Sequence, residues 1–152
     1  MGEYRKRRVA VSAVEAADAA SSCICELSAK LPVAPYLFVL APDGHLFAKI
    51  HNAVSAALSD PVKKWVCLVR RSKLQCSHKA IHATSNGWLT PYLVANFESW
   101  MDQRSSGKLN SHLDAGLSMI FAQVSNTDEE THAYRTVDRY CTGSVQLHDL
   151  PV

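Results

Sequence analysis

The chain has 152 residues, 47% of them apolar and 20% charged, with a formal net charge of +2. This length suits a single domain, the apolar share excludes a wholly disordered chain, and so small a net charge does not by itself mark a nucleic-acid binder. No apolar run approaches the roughly 18 residues a membrane-spanning helix needs. Cysteines number five, an odd count, and no apolar leader segment opens the chain. Both features point to a reducing compartment, cytoplasmic or nuclear.

In chain order, Arg5-Lys-Arg-Arg8 makes residues 1–10 a basic, flexible arm. Ser12-Ala-Val-Glu15 matches a capping box. Behind it Val14, Ala17, Ala20, Ile24, Leu27 and Leu31 recur at spacings of three and four, which predicts a helix ending near Lys30, before Pro32. Tyr36–Ala41 and Leu46–Asn52 flank Pro42-Asp-Gly44, a turn sequence, and predict a β-hairpin. Ala53–Leu58 fits either a short helix or a continuation of the strand. Lys64–Arg71 predicts a third strand.

From Ser77 the pattern is helical. Lys79–Asn86 fits two turns ended by Gly87. Thr90-Pro91 restarts a helix whose Leu93, Phe97, Trp100 and Met101 share a face. Ser105-Ser-Gly107 breaks it. Asn110 or Ser111 then caps a helix carrying Leu113, Leu117, Ile120, Phe121 and Val124, the most regular helical stripe in the sequence. Thr127-Asp-Glu-Glu130 is a second capping box, for a helix running towards Tyr140 and ended by Gly143. Val145–Val152 is expected to be a loose tail.

The expected class is therefore α+β, with a three-stranded antiparallel sheet, a preceding helix and a helical C-terminal half. The expected division is a basic arm at 1–10, an α-β-β-β-α module at 11–90, and a helical extension at 91–152 packed on the module or pairing it.

No nucleophile elbow, P-loop or H-E-x-x-H occurs, so no enzyme and no cofactor are expected. Asp43, His45 and His51 cluster on the predicted hairpin, but such residues are common in turns for backbone reasons. Cys67, Cys76, His78 and His82 are the donors closest to a zinc set. Their irregular spacing lacks the tight pairs of structural zinc sites, and no metal is expected. Trp88, Tyr92, Phe97 and Trp100 interleave with basic residues, as in base-stacking surfaces. At helical spacing they read better as core or interface, and Phe97, Trp100 and Met101 are the expected homo-oligomer contacts.

From Cys23 to about Trp88 the chain resembles a double-stranded-RNA-binding domain. The residues that carry the likeness are Cys25-Glu-Leu-Ser-Ala-Lys30, Ala34-Pro-Tyr36, Pro42-Asp-Gly-His45 with Leu46-Phe47, and Cys76-Ser-His-Lys-Ala-Ile-His-Ala83. The resemblance implies that the first helix and the hairpin loop touch successive minor grooves, while the start of the last helix holds phosphates between them. By position, Glu26 would face a groove, His45 would be the loop contact, and His78 and Lys79 the phosphate contacts. Arg70, Arg71 and Lys73 would add sequence-independent attraction. The expected function is thus non-enzymatic binding of duplex RNA. Gly44-His45, Asp60-Pro-Val-Lys-Lys-Trp65 and Ser77–Ala83 also resemble segments of bornavirus matrix proteins. That likeness implies the alternative, a viral structural or matrix-like assembly module pairing through its helical half.

Overall fold

The computed structural model describes residues 3–30, 37–41, 45–57, 66–70 and 88–151. Its first element is a long strand, β1 (Glu3–Val14). The run Val9-Ala-Val-Ser-Ala-Val14 consists of small and β-branched side chains, all buried, which suit a pleat packed on both sides. Next come α1 (Ala17–Lys30), β2 (Leu37–Ala41), α2 (His45–Ala57) and β3 (Val66–Arg70). Beyond Trp88 lie α3 (Pro91–Ala95), a 3₁₀ turn at Phe97–Ser99, and α4 (Gln103–Asp114). Then follow β4 (Ser118–Asn126), α5 (Thr127–Tyr140) and β5 (Gln146–Asp149).

The strands form one five-stranded sheet in the order β3-β2-β4-β1-β5. From β2 through β4 and β1 to β5 every pairing is antiparallel, with Val39 opposite Ile120, Val11 opposite Phe121, and Val9 opposite His148. β3 joins the outer edge of β2 in parallel, Leu37 opposite Val66 and Ala41 opposite Arg70. A parallel pair cannot be closed by a tight turn and needs a crossover element, the role α2 takes between β2 and β3. β4, drawn from the C-terminal half, lies between β1 and β2.

The mixed helix-and-strand class is as the sequence indicates, but the sheet is not a three-stranded antiparallel meander. The predicted hairpin is absent because its second arm, from Leu46, is helix α2. The turn Pro42-Asp-Gly44 lies outside the described residues, as do the helix expected at 79–86 and its terminator Gly87. The basic arm is, from Glu3 onward, part of β1. Ser12 is no helix cap; its hydroxyl donates to Gly143 O at 2.9 Å from within the strand. The stripe from Leu113 to Val124 is divided between α4 and β4. Gly116, at φ 87, ends α4: its N–H donates to Leu113 O at 3.0 Å and that of Leu117 to His112 O at 2.9 Å. This pair of bonds is the Schellman ending, which satisfies the last carbonyls and turns the chain. The expected loose tail contains β5.

Both faces of the sheet are covered. Ala10, Val14, Val39, Ile120 and Val124 pack with Ile24 and Leu27 of α1 and Val137 of α5. Val9, Val11, Leu40, Met119 and Phe121 pack with Leu93 of α3, Phe97, and Leu109 and Leu113 of α4. Local chemistry sets the helix starts. Thr90 accepts from Leu93 N–H, with Pro91 at the first helical position. Asp102 accepts from Ser105 N–H at 2.8 Å. Asn126 accepts from Glu129 N–H, while Glu129 reaches back to Ser125 N–H, so the second capping box is centred one residue earlier than Thr127. Among the described residues no helix is long and apolar enough to cross a membrane.

The edge strand β5 carries a pH-sensitive contact. His148 lies edge-on to Trp100, with ring centroids 6.3 Å apart, and Gln146 bonds its Nε2. Burial, followed in size by the opposing influence of Asp102, then by Arg8 and Asp149, holds its imidazole below its ordinary value of 6.5. The unfolded chain therefore takes up this proton at higher pH than the folded one does. Stability contributed by neutral His148 is complete above that value and is lost as the pH falls below it. Urea melts across this range are expected to show stability falling with acidity, and His148→Gln is expected to flatten that slope.

Candidate nucleic-acid interface

Adjacent residues of β1 point to opposite faces of the sheet, which divides the basic run. Arg8 turns towards α5 and β5. It is ion-paired with Glu130, and its Nε lies 3.2 Å from Asp149. Two carboxylates share this one guanidinium. Burial and then the Asp149 charge push the Glu130 carboxyl above its usual range. Arg8 is thus occupied within the fold.

Arg7 points the other way. Its guanidinium carbon lies 3.4 Å from the ring centroid of Trp88, a cation–π stack. Trp88 is 36% exposed and Tyr92, the second residue of the following helix, is 57% exposed. The segment is anchored from beneath. Leu89 is buried, and its N–H donates to Oε1 of Gln123 on β4 at 2.7 Å. Gln123 pairs across the sheet with Val9, two residues along the strand from Arg7. The result is a guanidinium stacked on a partly exposed indole, with the exposed Tyr92 four residues further along the chain.

A second feature is a cleft of about 340 Å³ between α1 and α5, lined by Glu26, Asp128, Thr131, His132, Arg135 and Arg139 among others. Glu26 is ion-paired with Arg139, which holds that guanidinium above its usual range. A hydrogen bond to Glu26 likewise raises the Tyr140 hydroxyl. Glu26 therefore links α1 to the end of α5. His132 Nε2 is buried there without a hydrogen-bond partner among the described residues.

Only some of the residues expected to contact RNA fall among those described. Glu26 is ion-paired with Arg139 on α5. His45 is the first residue of α2, not a hairpin-loop residue, and Arg70 ends β3 opposite Ala41. Arg71, Lys73, His78 and Lys79 lie outside the described residues. Within them, Glu26, His45 and Arg70 stand on three elements, α1, α2 and β3.

The expected interface residues are also redistributed. Phe97 and Met101 are buried at 2% and 7% exposure in the chain's own core. They face the sheet because α3 and the 3₁₀ turn lay their apolar side on it. Trp100 is partly buried, and its Nε1 donates to Leu93 O at 2.9 Å. Of the possible zinc donors, Cys67 stands on β3, while Cys76, His78 and His82 are outside the described residues. Among the described residues no three His, Cys, Asp or Glu side chains converge as a metal site would require.

The Arg7–Trp88 pairing is not legible in the sequence, although Arg7 lies in a basic run and Trp88 belongs to a set of aromatics interleaved with basic residues. Their contact is tertiary and has no local sequence correlate. Comparison with protein-family models, curated proteins and solved structures finds no match for this chain.

Proposed function

We propose that this chain is a non-enzymatic RNA-binding protein whose contact surface is the Arg7–Trp88–Tyr92 patch, and that it takes unpaired bases. The observation that carries the reading is the guanidinium stacked on an exposed indole at the end of a basic strand. Aromatic faces stack on any base and arginine adds both cation–π and phosphate attraction, so such a surface holds single strands with little sequence preference. Duplex recognition as first expected would require the hairpin loop as one of its contacts. With α2 in place of the hairpin's second arm, the geometry favours single strands.

The test is fluorescence anisotropy with a labelled single-stranded RNA of about 12 nucleotides, long enough to span the patch and its flanks. Affinity is expected to fall as salt rises, because phosphate contacts release counterions. Trp88→Ala is expected to weaken binding roughly tenfold, the loss of about one stacked base. Arg7→Ala is expected to weaken it and also to make the salt dependence shallower. Unchanged affinity in Trp88→Ala would remove the patch from the reading. A chain that forms a stable oligomer indifferent to RNA would favour the assembly alternative instead.

A further inference from the structure

The helices on the α1–α5 face of the sheet bring two thiols together. Cys23 lies on the inward stripe of α1 with Ala20, Ile24 and Leu27, and is wholly buried. Ala133 and Val137 of α5 belong to the same cluster. Cys141 follows Val137 by one helical turn, which continues that stripe, and it packs against the cluster. Its backbone is fixed on both sides. The Cys141 N–H donates to Val137 O at 2.9 Å, and the next N–H, of Thr142, donates to Ala13 O of β1 at 2.9 Å. Cys141 thus packs against the buried cluster that contains Cys23, and both thiols are free. Cys25, two residues along α1, is turned about 200° round the helix from Cys23.

We propose that Cys23 and Cys141 form a reversible disulfide that joins α1 to α5, with a small-molecule disulfide such as oxidised glutathione as the oxidant. The exchange balances in two steps. The thiolate of Cys141, the more exposed of the pair, attacks one sulfur of the oxidant. The S–S bond of the oxidant breaks, a mixed disulfide forms on Cys141, and one reduced glutathione leaves with the proton Cys141 lost. Cys23 then attacks the Cys141 sulfur, its proton passes to the second glutathione, and the protein S–S bond replaces the mixed one. Two protein thiols are oxidised and one glutathione disulfide is reduced to two thiols.

The order of attack follows from the environments. Cys141 is only partly buried whereas Cys23 is wholly buried, so the oxidant meets Cys141 first. Cys23 is therefore the slow, resolving partner, and closure should accelerate as pH rises. The bond would reinforce a helix pair already linked by Glu26 and Arg139. It lies on the face of the sheet opposite to that of Trp88, so it does not depend on the RNA reading.

The full-length chain, equilibrated in glutathione buffers of graded oxidation, acid-quenched, alkylated and mapped by mass spectrometry, tests this. The expected product is about 2 Da lighter than the reduced chain, with the Cys23 and Cys141 peptides joined. Cys141→Ser is expected to abolish that linkage and Cys25→Ser to leave it intact. The oxidised form is expected to melt about 5–10 °C above the reduced one. Cys23 and Cys141 both alkylated in the most oxidising buffer, glutathione retained on Cys141, or linkage of either residue to another cysteine would each overturn the proposal.

Discussion

Phe121→Ala is expected to lower the unfolding free energy by about 3–5 kcal/mol, the range for removing a buried aromatic ring. Phe121 is wholly buried on β4, which lies inside the sheet with β1 and β2 on its two sides. Its backbone pairs with Val11 on one side and Phe38 on the other. Its ring stands 6.4 Å from that of Phe97, so it also joins the sheet to the 3₁₀ turn. Truncation forfeits the ring's transfer energy and leaves a cavity that flanking strands cannot close without breaking their ladders. A domain with a typical 5–15 kcal/mol of stability would lose about a fifth of it or more. Urea melts of the variant should show a lower midpoint at an unchanged slope. Phe121→Leu, which retains most of the volume, should lose less. A cost below about 1 kcal/mol for the alanine variant would mean that this site is not a packed core position.

The second large effect is expected at Gln123. Its amide oxygen is the acceptor for Leu89 N–H at 2.7 Å, and the residue is only 7% exposed. Gln123→Leu preserves the size of the side chain and removes the acceptor. A buried donor left without a partner costs about 1–3 kcal/mol. The same bond holds the segment that presents Trp88, so the variant should bind single-stranded RNA roughly tenfold more weakly, about one stacked base, without any change to the patch itself. Combining Gln123→Leu with Trp88→Ala should then add little to either alone, because both act through one structural element. Additive losses would show that the bond and the patch are separate.

What the sequence made legible follows from how local each signal is. α1 and α5 carry apolar stripes at three- and four-residue spacing; α5 is legible to within one residue of its start, and α1 is legible at its end, Lys30, but not at its start, which the Ser12 capping box places inside what is strand β1. β3 was read from its β-branched run. β4 was misread because a strand buried on both faces has no alternation: Met119-Ile-Phe-Ala122 is continuous, and its flanking leucines happen to fit a helix. The decisive signal was Gly116, whose left-handed conformation ends α4. In α2, Leu46, Phe47, Ile50 and Val54 recur at helical spacing, yet Pro42-Asp-Gly44 is so strong a turn signature that a strand was expected beyond it. β1 was hidden by Arg5-Lys-Arg-Arg8, which masks the apolar run that follows. The contact between Arg7 and Trp88 is not legible, since it joins distant parts of the chain.

The position of β1 has a kinetic consequence. Val9 pairs with Gln123 on one side and His148 on the other, so both neighbours of this strand lie more than a hundred positions further along. At a ribosomal pace of about 5–20 residues per second, β1 must wait on the order of ten seconds for its partners to be made. During that interval its apolar residues have no ladder to join, while α1 can already form from local contacts. The sheet therefore closes late, through long-range pairings that fold slowly and leave sticky backbone open in the meantime. Nascent chains stalled before residue 118 should be the ones that recruit chaperones, and release past residue 149 should mark the point at which they no longer need them.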